Sequence, residues 1–107
     1  MDKLRVYSER TGDTLVISLQ GSAGISEVDQ AEREMLAAVA TPAPIVVLDL
    51  GTLEYTNSLL VGLMMKVNQA AKASGGKVRI ARPTEYVRGV LDAMKVGKVL
   101  PIYPDIE

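Results

Sequence analysis

A serine hydroxyl at the start of an apolar helix is the group in this sequence with the clearest capacity for chemistry. An apolar, strand-like run at residues 45–50 is followed by Asn57 and Ser58, which directly precede a second apolar run at residues 59–65. Asparagine and serine are common at the amino ends of helices, where a partial positive charge favours phosphate and other anions. We therefore expect Ser58 to lie where a phosphate or another anion is favoured, with Thr56 as a weaker alternative position.

The residues on which most catalytic and metal sites depend are missing. The sequence has no histidine and no cysteine, which removes the usual imidazole base and the thiolate and imidazole metal ligands. Asp49 and Glu54 are two carboxylates close together, but no basic or nucleophilic residue lies at a recognisable spacing from them. We expect no catalytic residue, no metal site and no cofactor, and a structural or solvated role for both carboxylates.

The length and charge of the chain indicate one small domain. Its 107 residues are predicted to form a single domain, and its twelve basic and thirteen acidic side chains are interspersed. Without a basic block, nucleic acid is not an expected partner. The start of the chain lacks the apolar segment of a signal peptide, and no apolar run approaches the roughly 20 residues that span a bilayer. We expect a cytoplasmic protein, a monomer or weak dimer, without membrane insertion.

Strand-like and helix-like segments alternate along the chain. Strands are predicted at residues 4–8, 14–20, 45–50 and 77–81, and residues 100–103 as a last short strand or extended tail. Helices are predicted from Ser26, with Asp29 completing a capping signature, to residues 41–42, at residues 58–74, and as a short helix opening at residues 83–84. The order β-β-α-β-α-β-α-β predicts an α/β fold in which a mixed sheet with parallel crossovers is packed with helices.

These segments, in this order, resemble the STAS domain, the fold of bacterial anti-sigma-factor antagonists, over residues 4–103. The resemblance rests on the strand at 46–50, the loop at 51–56, the Asn57-Ser58 pair, the helix closed by two glycines at 75–76, the strand at 77–80 and the closing segment 96–103. It implies a four- to five-stranded mixed sheet packed with three to four helices. Tyr55, in the loop, is expected to pack beneath the helix.

The resemblance also implies a function. In that family a serine directly after an aspartate is phosphorylated by a cognate anti-sigma factor kinase, and the unphosphorylated protein binds the kinase and frees the sigma factor. On this chain the acceptor serine falls on Ser58 and the aspartate on Asn57, while Leu59 and Leu60 replace a second hydroxyl residue and a glycine. The implied function is an anti-sigma factor antagonist, and the implied partners are an anti-sigma factor kinase and a PP2C-like phosphatase.

A partner-binding surface is expected around Ser58. The run at residues 59–65 is apolar on all sides, where a single stripe would satisfy a core, so some of it is a candidate for a partner groove. A helix wedged between a sheet and a neighbouring helix explains the same pattern. Where the family often has an acidic segment, residues 21–24 carry none. The predicted partner-binding residues are Asn57, Ser58, Leu59, Leu60, Met64, Ser22 and Gly24.

Two other functions remain open on the sequence alone. Because the loop departs from the family pattern, an unswitched STAS subunit is one alternative, acting as a scaffold or as an accessory component of a transporter or signalling complex. A small-ligand or lipid-binding domain that uses the apolar start of the helix is the other.

Overall fold

The backbone follows the predicted order of strands and helices. The structure is a computed structural model. It describes residues 3–22 and 24–105, but not the side chains of Ile25 and Ser26. The elements are β1 (Arg5–Thr11), β2 (Thr14–Ser22), α1 (Ile25–Ala40), β3 (Ile45–Tyr55), α2 (Ser58–Ala73), β4 (Lys77–Ala81), α3 (Glu85–Ala93) and β5 (Ile102–Tyr103), with a short 3₁₀ helix at Val96–Lys98.

The five strands form one mixed sheet in the order β1-β2-β3-β4-β5. Strands β1 and β2 pair antiparallel through a tight turn at Gly12, which has a positive φ of 60°, and the other three pairings are parallel. The predicted parallel crossovers and the predicted mixed sheet of four to five strands, packed with three to four helices, are therefore confirmed by a sheet of five strands with three α-helices.

The helices lie on one face of the sheet. Because the strand order follows the chain order and parallel crossovers are right-handed, each crossover places its helix on the same side. Alternate residues of β2, such as Leu15 and Ile17, point to that side and are buried, and so is Leu48, which pairs with Ile17. The core cluster takes in these side chains and the inner sides of all three helices, and it leaves out Val47 and Ala81. Those two residues belong to the opposite side, which we call the open face of the sheet.

The end of β3 and the start of α1, both close to the predicted site, differ from the prediction. Residues 51–56 were expected to form a loop, but β3 continues to Tyr55 because β2 keeps pairing with it, with Gln20 opposite Thr52 and Gly21 opposite Leu53 after a shift in register. Helix α1 begins at Ile25, one residue before the predicted start at Ser26, and its N-cap is Gly24.

The carboxyl end of α2 agrees with the sequence. Ser74 is the C-cap, and Gly75 adopts a positive φ of 88°, a conformation that glycine reaches without steric cost. A Cβ atom on Gly76 would lie 2.5 Å from the backbone oxygen of Ala43. The two glycines therefore end the helix and let the chain pass close to the connection before β3.

Candidate functional site

Asn57 fixes the start of α2. Its backbone is extended, with φ −148° and ψ 177°, and its side-chain oxygen accepts a hydrogen bond of 2.9 Å from the backbone N–H of Leu60. The first intrahelical bond also begins here, as the N–H of Val61 donates to the Asn57 carbonyl at 3.1 Å. The capping role predicted for Asn57 is confirmed, and it makes Ser58 the first residue of the helix.

Ser58 and Leu59 lie on the outer side of this first turn. Both are exposed, and Leu59 leaves 51% of its surface open to solvent. The amino end of α2 contains no acidic residue in its first turn, so its partial positive charge is not offset locally. The arrangement presents an apolar side chain next to a solvent-exposed hydroxyl.

A cleft between α1 and α2 runs beside these two residues, with a volume of about 520 Å³. Its walls are Val28, Asp29 and Glu32 from α1 and Ser58, Leu59, Gly62, Leu63 and Lys66 from α2. We call this the α1–α2 cleft. Lys66 and Glu32 bridge it with an ion pair of 3.1 Å, and because both side chains are well exposed the pair contributes little to stability.

The acidic side chains of the α1–α2 cleft were not identified from the sequence. Asp29 and Glu32 come from α1, whereas the family resemblance places the acidic residues near the serine at position 57 and in residues 21–24. Because they are three residues apart, they lie on the same side of a helix, and this spacing is the feature of the sequence that could have identified them as a pair. The pairing of α1 with α2 that brings this side to Ser58 is a tertiary contact.

The structure corrects the expectation that Leu60 and Met64 line a partner groove. Both side chains have 0% exposure and belong to the core cluster. Neither reaches the surface, so neither can contact a partner or line a ligand site in this conformation. Thr56 is 3% exposed, so its hydroxyl is not accessible as the alternative acceptor.

Ser22 and Gly24 lie near the site but differ in accessibility. Ser22 ends β2 opposite Tyr55, two residues before Asn57, and is only 7% exposed. Its expected contact with a partner is therefore corrected as well. Gly24, the N-cap of α1, is half-buried, and a Cβ atom there would lie 2.5 Å from the Glu27 carboxylate.

Asp49 has a structural role, as expected for it. Arg82 clamps its carboxylate through two hydrogen bonds, Nε to Oδ1 at 3.0 Å and Nη2 to Oδ2 at 2.9 Å, and the N–H of Gly51 donates to Oδ1 at 3.0 Å. This pairing raises the pKa of Arg82, through the hydrogen bond first and the attraction of opposite charges second. A Cβ atom on Gly51 would lie 2.7 Å from the guanidinium carbon, so a larger residue at this position would displace the guanidinium from its place beside Asp49.

Tyr55 does not pack beneath α2. Its ring stacks on Tyr86 of α3 with centroids 5.4 Å apart and an angle of 16° between the planes, and each residue is nearly half exposed. Hydrogen bonding to Tyr55, with a smaller effect of desolvation, raises the pKa of Tyr86. The prediction for Tyr55 is therefore wrong, because its partner comes from an element 31 residues away in the chain.

Residues 3–22 and 24–105 contain no group of three or more acidic side chains placed to hold a metal ion. In the same residues, no helix combines the length and the apolar character needed to cross a bilayer.

The model of a protein family described as "Mlab, STAS domain" matches residues 7–101. A search of curated proteins finds no match to this sequence.

Several solved structures are similar to this chain. An anti-sigma factor antagonist from Mycobacterium paratuberculosis has a TM-score of 0.87 at 19% identity, covering 96% of this chain and 87% of its own. An anti-sigma-factor antagonist (STAS) domain protein from Planctomyces limnophilus has a TM-score of 0.80 at 25% identity, with coverages of 98% and 92%. The Bacillus cell fate determinant SpoIIAA, in its phosphorylated form, has a TM-score of 0.69 at 22% identity, with coverages of 92% and 90%. At these identities the likeness is one of fold.

Proposed function

This chain belongs to the STAS domain family, and we propose that it is a non-enzymatic anti-sigma factor antagonist whose binding to an anti-sigma factor kinase is switched by phosphorylation of Ser58. The observation that carries this proposal is the exposed pair of Ser58 and Leu59 at the capped start of α2, on the rim of the α1–α2 cleft. A hydroxyl and an apolar contact residue lie side by side there, so a modification of one changes the binding of a partner to the other.

The charge of a phosphate is sufficient for such a switch. Phosphorylation of serine adds about −1.5 to −2 charges at neutral pH. On Ser58 this charge would stand in the same cleft as Asp29 and Glu32, whose carboxylates already make that wall acidic. The attraction of the helix end amounts to only about 0.3–1 kcal/mol. If the added charge disfavours the bound partner by about 4 kcal/mol, the affinity falls about a thousandfold.

The neutral cap at Asn57 is compatible with this proposal. Asn57 holds the helix start as an aspartate would, but it brings no negative charge for a kinase or its metal ion to use. Asp29 and Glu32 supply acidic side chains on the opposite wall of the cleft. We infer that a kinase approaching Ser58 contacts these α1 residues.

The test is phosphate transfer followed by mapping. The protein is incubated with ATP and an anti-sigma-type serine kinase from the same cell, and the modified residue is identified by mass spectrometry. We expect phosphate on Ser58, its loss in Ser58→Ala, and kinase binding weakened about a thousandfold by Ser58→Asp. The matched control is Ser74→Asp, because Ser74 is exposed at the opposite end of the same helix. An unmodified Ser58 together with unchanged binding of Ser58→Asp would refute the proposal.

A second candidate is an unswitched STAS subunit of a transporter or signalling complex. It is favoured by the absence of an acidic residue in the first turn of α2 and by Leu59 and Leu60 in place of the family's hydroxyl residue and glycine. In this case the same outer side of α2 binds its partner permanently. Capture from the source cells would then recover a transporter ATPase without a kinase or a PP2C-like phosphatase, and Ser58 would remain unmodified.

A further inference from the structure

We propose that the open face of the sheet is a dimer interface, on which a second copy of this chain docks through a two-fold axis running along the strands between β2 and β3. The α1–α2 cleft lies in the helix layer on the other side of the sheet, so this proposal concerns a second surface. Its success or failure is independent of the function proposed for Ser58.

The central row of the open face is self-complementary. Strand pairing aligns Glu9 with Val16, Val16 with Val47, and Val47 with Arg79, so the row reads acid, valine, valine, base. Neighbouring strands are about 4.8 Å apart, which separates the backbones of Glu9 and Arg79 by about 14 Å. Within residues 3–22 and 24–105, neither charge takes part in an ion pair.

A two-fold axis between two copies places each residue of this row opposite a complementary residue of the second copy. The second copy presents the row in reverse, so Glu9 of one copy lies opposite Arg79 of the other, and the converse pair forms on the far side of the axis. Between the two ion pairs, the partly exposed Val16 faces the second copy's Val47, which is only 3% exposed within its own copy. Opposite charges at matched positions on both sides of the axis are what an isologous interface requires.

The next row along the strands obeys the same axis. It contains Tyr7 on β1 and Ala81 on β4, which the rotation places opposite each other. Tyr7 is 49% exposed and Ala81 is 2% exposed, so a large projecting ring meets a small, recessed side chain. Arg79 is already held at the face, because its guanidinium carbon lies 5.6 Å from the centre of the Tyr103 ring. This preorganisation reduces the entropy lost when Arg79 pairs with Glu9 of the second copy.

The charge arrangement allows a test in which two defective variants repair each other. In Glu9→Arg both ends of the row are basic, and in Arg79→Glu both are acidic, so each variant repels itself twice. A mixed dimer of the two variants pairs opposite charges at both ends. We expect the wild type to dimerise between about 1 μM and 1 mM in sedimentation equilibrium, and each single variant to dimerise at least about a hundredfold more weakly. The equimolar mixture should form a one-to-one dimer.

Matched controls reverse exposed charges outside the open face. Glu34→Arg in α1 and Lys98→Glu in the 3₁₀ helix make the same changes of charge and should leave dimerisation within about threefold of the wild type. Thermal melting verifies that all variants are folded, and added salt should weaken the wild-type dimer, a measurement that needs no variant. The proposal is overturned if the wild type stays monomeric throughout, if the single variants dimerise as the wild type does, or if mixing them restores nothing.

Discussion

The first turns of α2 have a leucine on each of two sides, and the two sides lie in opposite environments. On the outer side, Leu59 is 51% exposed beside Ser58, and on the inner side Leu60 and Met64 are completely buried. Two leucines adjacent in sequence therefore have different roles, because successive helix residues point about 100° apart. The inner side anchors the helix to the sheet, and the outer side faces solvent.

This division explains how a charge can be added to Ser58 without unfolding the protein. The Asn57 cap and the buried side of the helix hold the backbone of the first turn in place. A phosphate on the outer side stays in solvent, where it costs the fold little. Under the proposed function, the modification would therefore act on the bound partner and not on the stability of the domain.

The largest expected effect is the difference in protein stability between substitutions on the inner side and on the outer side of α2. Leu60→Ala and Met64→Ala should each lower the free energy of unfolding by about 2–5 kcal/mol, because both leave cavities in the core. Leu59→Ala, at an exposed position, should change it by less than about 0.5 kcal/mol. Urea denaturation followed by circular dichroism measures all three, and equal losses at positions 59 and 60 would contradict the assigned orientation of the helix.

The sequence predicted the start of α2 but not its orientation. The start depends on local chemistry, because Asn57 caps the helix with its own side chain. The orientation depends on where the sheet and α1 lie, and residues 59–65 are apolar on all sides, so periodicity alone could not separate Leu59 from Leu60. Which leucine is buried depends on how the helix packs against the sheet and α1, and in the structure Leu60 is buried and Leu59 is exposed.

Long-range pairs were the other part of the site that the sequence did not reveal. Asp49 and Arg82 are 33 residues apart, and no local pattern marks a carboxylate and a guanidinium at that distance as partners. The longer β3 strand has the same cause, since Gly51 is a typical turn residue, and the pairing of β2 with Thr52 and Leu53 keeps β3 extended beyond it. By contrast, the order of elements follows from local periodicity and was predicted correctly.

An intermediate effect on stability is expected for substitutions of Asn57, the N-cap of α2. Asn57→Ala should destabilise the protein by about 1 kcal/mol, because the N–H of Leu60 loses its acceptor. Asn57→Asp should keep the cap and gain about 0.3–1 kcal/mol from the helix end at low salt. Thermal melts measure both changes. Thr84→Ala, at the corresponding cap of α3, is the control for partner binding, which only the Asn57 variants should alter.

The smallest effect is expected at Gly62, on the outer side one turn further along. A Cβ atom there meets nothing within 4 Å, and the same is true of Gly89 in α3. Each glycine-to-alanine change should stabilise the protein by about 0.5–1 kcal/mol. Because Gly62 lines the α1–α2 cleft, Gly62→Ala should weaken partner binding, whereas Gly89→Ala should not. Equal binding by both stabilised variants would place the partner elsewhere.

The most direct test of the account compares two exposed apolar side chains for partner binding. The partner is first captured from the source cells and identified, and its dissociation constant is then measured by titration calorimetry for Leu59→Asp and for Met94→Asp. Met94 is 43% exposed at the end of α3, away from the α1–α2 cleft. We predict that Leu59→Asp weakens binding at least about a hundredfold and that Met94→Asp changes it by less than about threefold. Equal effects of the two substitutions, or a loss confined to Met94→Asp, would contradict the assignment of the outer side of α2 as the binding surface.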